Sequence, residues 1–291
     1  MKGKIIGLGE ILWDMLPQGK QLGGAPANFA YHVCRLGGDG WAVSSICDDE
    51  LGGEIKDVLN KKGLNAILEE VEQPTGTVQV SLDAAGVPTY TIMEDVAWDN
   101  IPFTDRIMSL ARESSAVCFG TLAQRSAISR ETIWKFIKSM PEDSLKVYDI
   151  NLRQHYFDKE LICANLEISD ILKINDDELE IVSTMLGIEG SQVERCRAVI
   201  AQFGLRFIIL TKGSKGSDVI TMEKVHSIVP EKITIADTVG AGDSFTAAFI
   251  ISYLKGEPIE KCHTLAGKIS SYVCTKPGAM PEYDNHILSQ L

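Results

Sequence analysis

The most informative segment of this chain reads Asp237-Thr238-Val239-Gly240-Ala241-Gly242-Asp243-Ser244-Phe245. From Phe245 onward, apolar residues recur at spacings of three and four, which predicts that the segment leads into the N-terminus of a helix. Two glycines and an alanine leave the backbone N–H groups of the turn unshielded, so that they can converge on an anion at the positive end of that helix. Asp243 beside such an anion cradle indicates phosphoryl transfer, although a first-turn acid that only stabilises the helix would look the same in isolation.

Two common phosphate-binding motifs are excluded. A dinucleotide-binding fingerprint needs a small residue where Phe245 stands, and no G-x-x-x-x-G-K-[ST] sequence occurs in the chain. The net charge of −12 argues against nucleic-acid or anionic-membrane partners, because the field of the whole protein repels phosphates at long range. A phosphate site must therefore be built locally.

The cysteines and the apolar segments indicate the cellular compartment. The seven cysteines form no C-x-x-C pair, so that neither a disulfide framework nor a zinc site can be inferred from them. Residues 1–17 are interrupted by Glu10 and Asp14, which is wrong for a signal peptide. The longest apolar run, 245–254, is too short to span a bilayer. We therefore expect a cytoplasmic protein.

Strand-like and helix-like segments alternate through most of the chain from about residue 105 onward. Short β-rich runs at 117–120, 146–150, 172–175 and 207–211 are separated by amphipathic stretches. Such alternation predicts βαβ units and a mostly parallel sheet with helices on both faces. Ligands of these sheets bind beyond the carboxyl ends of the strands. The polar residues that follow these runs are Arg153, Asn175, Thr211 and Lys212.

A different pattern is found at 75–98, where apolar and polar residues alternate and Ala85-Gly86 forms a turn. This pattern predicts a hairpin. Together with the segment at 11–22 it would form a small, half-exposed sheet, which we interpret as a lid made of about 11–22 and 75–99 and inserted within one domain of 1–291. Because edge strands pair readily, the lid favours a homodimer.

A second glycine pair lies near the start of the chain, in Gly23-Gly24-Ala25-Pro26-Ala27-Asn28. Pro26 suits the first turn of a helix, so that a helix is predicted to begin here. Asn28 would then lie in its first turn. A plain helix start, with glycines serving only the turn, is the alternative.

Five motifs in one order resemble the ribokinase-like carbohydrate kinase family over essentially the whole chain. They are the early Gly-Gly-x-x-x-Asn, a D-x-N-x-R at 149–153, an N-x-x-E at 175–178, a T-x-G-x-x-G at 211–216 and the Asp-Thr-x-Gly-Ala-Gly-Asp at 237–243. The resemblance implies a three-layer αβα fold with a mostly parallel central sheet and a small β-sheet lid. It also implies a kinase that uses ATP and Mg²⁺ on a sugar held between the lid and the main sheet.

The resemblance assigns the chemistry to the two glycine segments. The family's catalytic base falls on Asp243, and its anion hole falls on the backbone amides of Gly240, Ala241 and Gly242. Its sugar-binding positions fall on Asp14, Gly23, Gly24 and Asn28, with Arg153 near the substrate or the transferred phosphate. Taken singly, Asp14 could be a surface acid at a strand end, and Arg153 a solvated loop cation.

The resemblance also implies the nucleotide and ion sites. Asn175, Thr211, Lys212, Gly213 and Gly216 match nucleotide-binding positions, although 211–213 could simply be the exit of a strand into a turn. Glu178 matches the acid associated with Mg²⁺ through water, and its alternative is a solvated first-turn carboxylate. Asp237, together with backbone carbonyls near Val239 and at 274–278, matches a monovalent-cation position, for which potassium is the candidate.

Within the family, the sequence at 23–28 looks more like fructokinases than ribokinases, whose segment usually carries a lysine and a following Asn-Gln. The pair Trp98-Asp99 also looks fructokinase-like, and Trp98 and Trp13 could line a sugar ring or merely pack within the lid. We therefore expect transfer of the γ-phosphate of ATP to a primary hydroxyl of D-fructose. A 2-keto-3-deoxygluconate kinase, a ribokinase-type enzyme and a sugar-binding regulator without catalysis are the alternatives.

Overall fold

The computed structural model describes residues 3–16, 19–82, 88–284 and 287 of the chain. Its strands are β1 (Lys4–Leu8), β2 (Leu12–Leu16), β3 (Gly19–Gly23), β4 (Gly40–Cys47), β5 (Asn65–Val71), β6 (Thr77–Leu82), β7 (Pro88–Ile92), β8 (Ser114–Phe119), β9 (Leu145–Asp149), β10 (Ile171–Asn175), β11 (Phe207–Thr211), β12 (Ser217–Ile220) and β13 (Val225–Ile228). Its α-helices are α1 (Ala25–Arg35), α2 (Glu50–Lys62), α3 (Asp105–Arg112), α4 (Ala127–Ser139), α5 (Lys159–Glu167), α6 (Asp176–Leu186), α7 (Gln192–Phe203), α8 (Ala241–Leu254) and α9 (Ile259–Cys274).

In this part of the chain, nine strands form the larger sheet in the order β13-β12-β11-β10-β9-β8-β1-β4-β5. Neighbouring strands are parallel from β11 to β5, and only β12 and β13 add antiparallel pairs at one edge. The four strand-like runs of the sequence are β8, β9, β10 and β11, which lie side by side. The prediction of a mostly parallel sheet is confirmed.

Helices cover both faces of this sheet, because its strands bury alternate residues on opposite sides. Ile5 belongs to the core beneath α1, α8 and α9, whereas its neighbour Ile6 belongs to the core beneath helices α3 to α7. The same alternation separates Phe207 from Ile208 in β11. These two cores give the three-layer αβα architecture expected from the sequence. None of the described helices is long and apolar enough to cross a bilayer.

A second sheet, in the order β3-β2-β6-β7, corresponds to the segments at 11–22 and 75–99. Strands β6 and β7 are antiparallel, as a hairpin requires, whereas β2 and β6 are parallel. The predicted turn at Ala85-Gly86 lies outside the described residues. Trp13 and Val78 are buried on this sheet, while Tyr90 is 54% exposed. The small sheet is therefore half-exposed, and its action as a lid stays a prediction.

The small sheet joins the main body at the carboxyl end of β1. The chain leaves β1 at Leu8, enters β2 at Leu12, and returns through β3 directly into α1. Strands β9, β10 and β11 end at the same edge, because they run parallel to β1 within one sheet. This edge is where ligands of open parallel sheets bind.

Candidate active site

The N-termini of α1 and α8 meet at the carboxyl edge of the larger sheet. Asn28, in the first turn of α1, donates a hydrogen bond from Nδ2 to Oδ2 of Asp243 in the first turn of α8, at 2.8 Å. These two residues are 215 positions apart in the chain. The structure thus brings together the two glycine segments that the sequence singled out, and it directs the positive ends of two helices toward one place.

Asp243 is a half-buried carboxyl group with a shifted pKa. Burial and the nearby charge of Asp149 raise its pKa to about 6, against the hydrogen bond from Asn28 and the positive charges of Lys173 and Arg153. A carboxyl group with this pKa is largely ionised at neutral pH and still accepts a proton readily. Asp243 can therefore accept a proton near neutral pH.

The turn before α8 requires a glycine at its centre. Gly240 has φ 77°, and a Cβ atom there would lie 2.7 Å from the carbonyl oxygen of Ala279. The N–H of Ala241 donates within the turn to Thr238 O at 3.3 Å. The next first-turn amides, those of Gly242 and Asp243, have no intrahelical acceptor, as at any helix start. Gly242 therefore fits the predicted anion hole well, while the N–H of Ala241 is already partly used.

On the other side of Asp243 lies a group of residues that we call the acceptor side, comprising Glu10, Asp14, Gly23, Gly24 and Asn28. The two glycines are needed for close approach, since a Cβ atom at Gly23 would lie 2.6 Å from Asp14 Oδ2, and one at Gly24 would lie 2.4 Å from Glu10 O. Asp14 is half-buried, and its burial raises its pKa. The acidic group of Asp14 is thereby held against the backbone that leads into α1.

Two polar atoms on the acceptor side are buried without a hydrogen-bond partner: Oδ1 of Asn28 and Oε2 of Glu10. Both residues are 3% exposed. Burial and the charge of Asp243 raise the pKa of Glu10 to about 7, while its own backbone N–H and that of Ala25 oppose the shift. A buried acceptor left unpaired costs about 1–3 kcal/mol, so these atoms favour a ligand that donates hydrogen bonds.

Glu10 was missed as a site residue by the sequence reasoning. It was considered only as an acid that interrupts an apolar segment, and the strand that carries it to the site, β1, was not predicted. An acidic residue directly after a buried strand could have drawn attention to it, as it did for the polar residues after β9 to β11.

Arg153 lies in the loop after β9. The backbone of this loop is unusual, with φ 41° at Asn151 and φ 48° at Gln154. Arg153 is exposed, and its Nη1 donates to the carbonyl of Leu152 at 3.0 Å. Its positive charge lowers the pKa values of Glu10 and Asp243, so that it faces the site. Gln154 donates to Tyr90 O at 3.0 Å and thereby ties this loop to β7 of the small sheet.

Trp98 does not line an open site. It is 0% exposed, and the guanidinium of Arg125 stacks on its ring at 4.0 Å. Asp99 holds that guanidinium through two hydrogen bonds of 2.7 and 2.8 Å. Trp13 is also buried and donates from Nε1 to Leu51 O at 3.0 Å. Both tryptophans therefore pack beneath the small sheet, which is the alternative to lining a sugar ring.

The remaining predicted binding residues form what we call the nucleotide side, comprising Asn175, Thr211, Lys212, Gly213 and Gly216. Thr211, Gly213 and Gly216 line one cavity together with Gly242, Ser271 and other residues of α8 and α9. Gly216 has φ 96°, and a Cβ atom there would lie 2.0 Å from Ile228 O. Lys212 does not line this cavity, and its Nζ forms an ion pair with Asp218 Oδ2 at 2.6 Å.

Glu178 and Asn175 form a capping box at the start of α6. Glu178 is 5% exposed, and its two carboxylate oxygens accept hydrogen bonds from the N–H groups of Leu152 and Asn175, each at 2.9 Å. Asn175 Oδ1 accepts from Glu178 N at 2.8 Å. Glu178 is thus a buried cap and not a solvated carboxylate. Across the described ranges, no cluster of three or more metal-ligating side chains occurs.

Asp237 ties the turn before α8 to the segment after α9. Its Oδ1 accepts from Val239 N and its Oδ2 accepts from Gly278 N, each at 3.0 Å. The carbonyl oxygen of Cys274 accepts from Ala236 N at 2.9 Å. The two chain segments that would hold a monovalent cation therefore lie side by side.

Lys173 is a second residue that the sequence reasoning missed. It lies on β10 and is 9% exposed, and its Nζ lies 3.0 Å from Asp149 Oδ1 at the end of β9. Asp149 is also buried, and the hydroxyl of Thr246 of α8 lies 3.3 Å from its Oδ2 and 3.0 Å from Gly242 O. A single lysine in an apolar strand, two positions before a polar strand end, is the only local signal of this pair.

Known proteins resemble this chain over nearly its whole length. Residues 17–285 match the model of the pfkB family carbohydrate kinases. A protein named as a sugar kinase of Pyrococcus horikoshii is 30% identical over 298 residues, covering 95% of this chain and 92% of its own. A fructokinase of Klebsiella pneumoniae is 28% identical over 264 residues, covering 86% and 84%. The structure of the Pyrococcus horikoshii sugar kinase in complex with ATP has a TM-score of 0.79 at 27% identity and covers 95% of this chain and 94% of its own.

Proposed function

We propose that this chain, which belongs to the pfkB family of carbohydrate kinases, transfers the γ-phosphate of ATP to a primary hydroxyl of D-fructose and yields fructose 6-phosphate. That it is an ATP-dependent carbohydrate kinase follows from the family. The choice of fructose and the roles of individual residues are our proposal.

One observation carries the proposal: two residues that interact with Asp243 each hold a buried oxygen without a hydrogen-bond partner. Asn28 Oδ1 and Glu10 Oε2 each lack a donor. A neutral sugar carries several hydroxyl groups, and each can donate one hydrogen bond. A polyol bound beside Asp243 would therefore satisfy atoms that are otherwise unpaired at a cost of about 1–3 kcal/mol each.

In the proposed reaction, Asp243 accepts the proton of the primary hydroxyl while the hydroxyl oxygen attacks the γ-phosphorus. The bond between that phosphorus and the bridging oxygen breaks, and ADP leaves. General-base assistance of this kind is typically worth about 10² to 10⁴ in rate. The amides at Gly240 to Gly242 and the guanidinium of Arg153 would stabilise the charge on the transferred group.

ATP and Mg²⁺ fit the residues present. Gly216 and Gly267 line the cavity on the nucleotide side, and a Cβ atom at Gly267 would lie 2.5 Å from Ile228 Cδ1, which lines the same cavity. Both oxygens of Glu178 are held by backbone N–H groups, so a contact with Mg²⁺ would run through water. Mg²⁺ commonly keeps several waters and binds the phosphates of its substrate. When bound, it would neutralise charge that develops on the phosphates.

The side chains near the acceptor side favour a neutral sugar over 2-keto-3-deoxygluconate. A substrate carboxylate would call for a free cation. The side chain of Arg125, 7% exposed beneath the small sheet, donates to both carboxylate oxygens of Asp99 and to Met93 O, and its Nη1 has no partner. Asp99 thus already balances its charge. Of the two cations that act on Asp243, Lys173 is paired with Asp149, and Arg153 is the cation that the transferred phosphate needs.

ADP release with Mg²⁺ and ATP, measured on fructose, ribose, 2-keto-3-deoxygluconate, adenosine and fructose 6-phosphate, tests the proposal. We expect strong turnover on fructose and little on the other four. Turnover only on 2-keto-3-deoxygluconate would contradict the fructokinase assignment. No ADP release on any of the five, with sugar binding intact, would instead favour a regulator that has lost catalysis.

We propose that potassium binds at Asp237 and activates the enzyme. A rate that is the same with and without potassium would contradict this proposal. The homodimer expected from the lid edge also stays a prediction. The mass of the protein in solution by light scattering tests it.

A further inference from the structure

A buried ammonium group lies directly behind the anion hole. A Cβ atom built at Gly242 would lie 3.0 Å from Lys173 Nζ, so that the lysine faces the α-carbon of the turn. Lys173 is 9% exposed, and Asp149 Oδ1 is its hydrogen-bond partner at 3.0 Å. The charge of Lys173 therefore reaches the site from beneath the turn and not from solvent.

The lysine stays charged despite its burial. Burial disfavours its charge, but the carboxylates of Asp149 and Glu178 outweigh this effect, and the pKa of Lys173 is raised above its ordinary value. Asp243 acts in the same direction. A permanent positive charge is thus held between three acidic side chains.

Asp149 and Lys173 act on Asp243 in opposite directions. The carboxylate of Asp149 raises the pKa of Asp243, and the ammonium of Lys173 lowers it. The other charged or titratable groups that face Asp243 are Arg153 from the loop after β9, Glu10 from the segment after β1, and the neutral Cys118 thiol of β8. Only Asp149 and Lys173 among these groups are bonded to each other in a buried ion pair.

We propose that Lys173 is a positioning residue for phosphoryl transfer, which keeps Asp243 ionised and places a fixed positive charge behind Gly242. Asp149 orients the ammonium, and its other carboxylate oxygen lies 3.3 Å from the hydroxyl of Thr246. The inference rests on the proposed role of Asp243 as the base, but it does not depend on which sugar is the substrate.

The test is the pH dependence of kcat/KM, measured on whichever sugar the substrate panel identifies. The acidic limb of this pH profile reflects protonation of Asp243. In Lys173→Met we expect this limb to move up by about one pH unit, as the loss of a neighbouring opposite charge predicts. Activity would then fall roughly fivefold near pH 6 and recover above pH 8. In Asp149→Asn we expect the limb to move down, and in the double variant we expect it near its original position.

Two further variants control the experiment. Lys173→Arg keeps the charge and should hold the limb in place. Lys146→Met removes another strand lysine, which lies at the start of β9, away from the site. Its Nζ lies 3.8 Å from Asp170 Oδ2, and its removal should leave the acidic limb unchanged. A rate that falls equally at all pH values in Lys173→Met, or a limb that moves the same way in Lys173→Met and Asp149→Asn, would overturn the proposal.

A second readout needs no substrate. Titration of ¹³C-labelled aspartate carboxyl groups, with the Asp243 resonance assigned by its loss in Asp243→Asn, should show the same opposed shifts in the protein alone. If no sugar is turned over but these shifts appear, the coupling stands and the kinase proposal fails. If turnover is normal and the resonance of Asp243 does not move, the coupling fails and the kinase proposal stands. If Lys173→Met does not fold, a downward shift of the pKa of Asp243 in Asp149→Asn supports the coupling, and the absence of that shift contradicts it.

Discussion

The acceptor side and the nucleotide side differ in what they are made of. On the acceptor side, buried side chains hold polar atoms without partners, as Asn28 and Glu10 do. On the nucleotide side, glycine turns shape a cavity, and side chains such as Asn175 and Lys212 are already paired. None of the buried, unpartnered side-chain atoms in the described ranges belongs to the nucleotide side.

This difference suggests a division of labour. Unpaired buried acceptors discriminate between ligands, because a wrong ligand leaves them unsatisfied. Turns that offer backbone groups and open space discriminate less, which suits a nucleotide that many kinases share. Changes on the acceptor side should therefore have larger effects than changes on the nucleotide side, and the four predictions below test that order.

The largest effect is expected at the point where the two sides meet. Asp243→Asn removes the proton acceptor while keeping the shape of the side chain, so that turnover should fall by about 10² to 10⁴. Binding of sugar and ATP, measured by calorimetry, should be retained. A near-normal rate in this variant would eliminate Asp243 as the base.

The next effect concerns stability. The pKa of Glu10 is raised from 4.5 to about 7 on folding, so the folded protein binds this proton more tightly than the unfolded chain. Its contribution to stability is therefore complete below about pH 4.5 and is lost as the pH rises through 7. Glu10→Gln should lie within about 1 kcal/mol of the parent protein near pH 5 and exceed it at pH 8 by up to about 3 kcal/mol.

Urea unfolding at both pH values measures this difference. The exposed Glu167 offers a matched control, since Glu167→Gln should change the free energy of unfolding equally little at pH 5 and pH 8. A Glu10→Gln variant that is less stable at pH 8 would mean that the carboxylate is paired, and the contrast between the two sides would weaken.

A smaller effect is expected from Asn28→Ala. This change removes both the orphan acceptor Oδ1 and the donor to Asp243. The KM for the sugar should rise by roughly tenfold, as the loss of one or two hydrogen bonds predicts, while the KM for ATP stays the same. Equal increases in both KM values would contradict the assignment of Asn28 to the acceptor side.

The smallest effect is expected from Lys212→Ala on the nucleotide side. The ammonium is paired with Asp218 and does not line the cavity. We expect the KM for ATP to change less than about fivefold, in keeping with the small net contribution of a partly exposed ion pair. A loss of more than a hundredfold would show that the lysine turns toward the phosphates, and the family-based prediction would then describe it better than this geometry does.

Local sequence patterns predicted several elements of the fold. The runs at 146–150 and 207–211 are short and rich in β-forming residues, and β9 and β11 lie where they were expected. The start of α8 was equally clear, because Gly240 and the apolar spacing after it both mark a helix N-terminus. By contrast, the strands β1, β4 and β5, which form one side of the sheet, were not predicted from the first hundred residues.

The sequence alone determined the parallel αβα class, the glycine turns and the identity of the acid at the start of α8, because strand runs, helix starts and turns depend on neighbouring residues. Only the tertiary structure decided that Glu10 and Lys173 belong to the site and that Trp98 lies in the core. Burial, an unpaired oxygen and an ion pair between β9 and β10 depend on segments that are distant along the chain, and no local pattern records them.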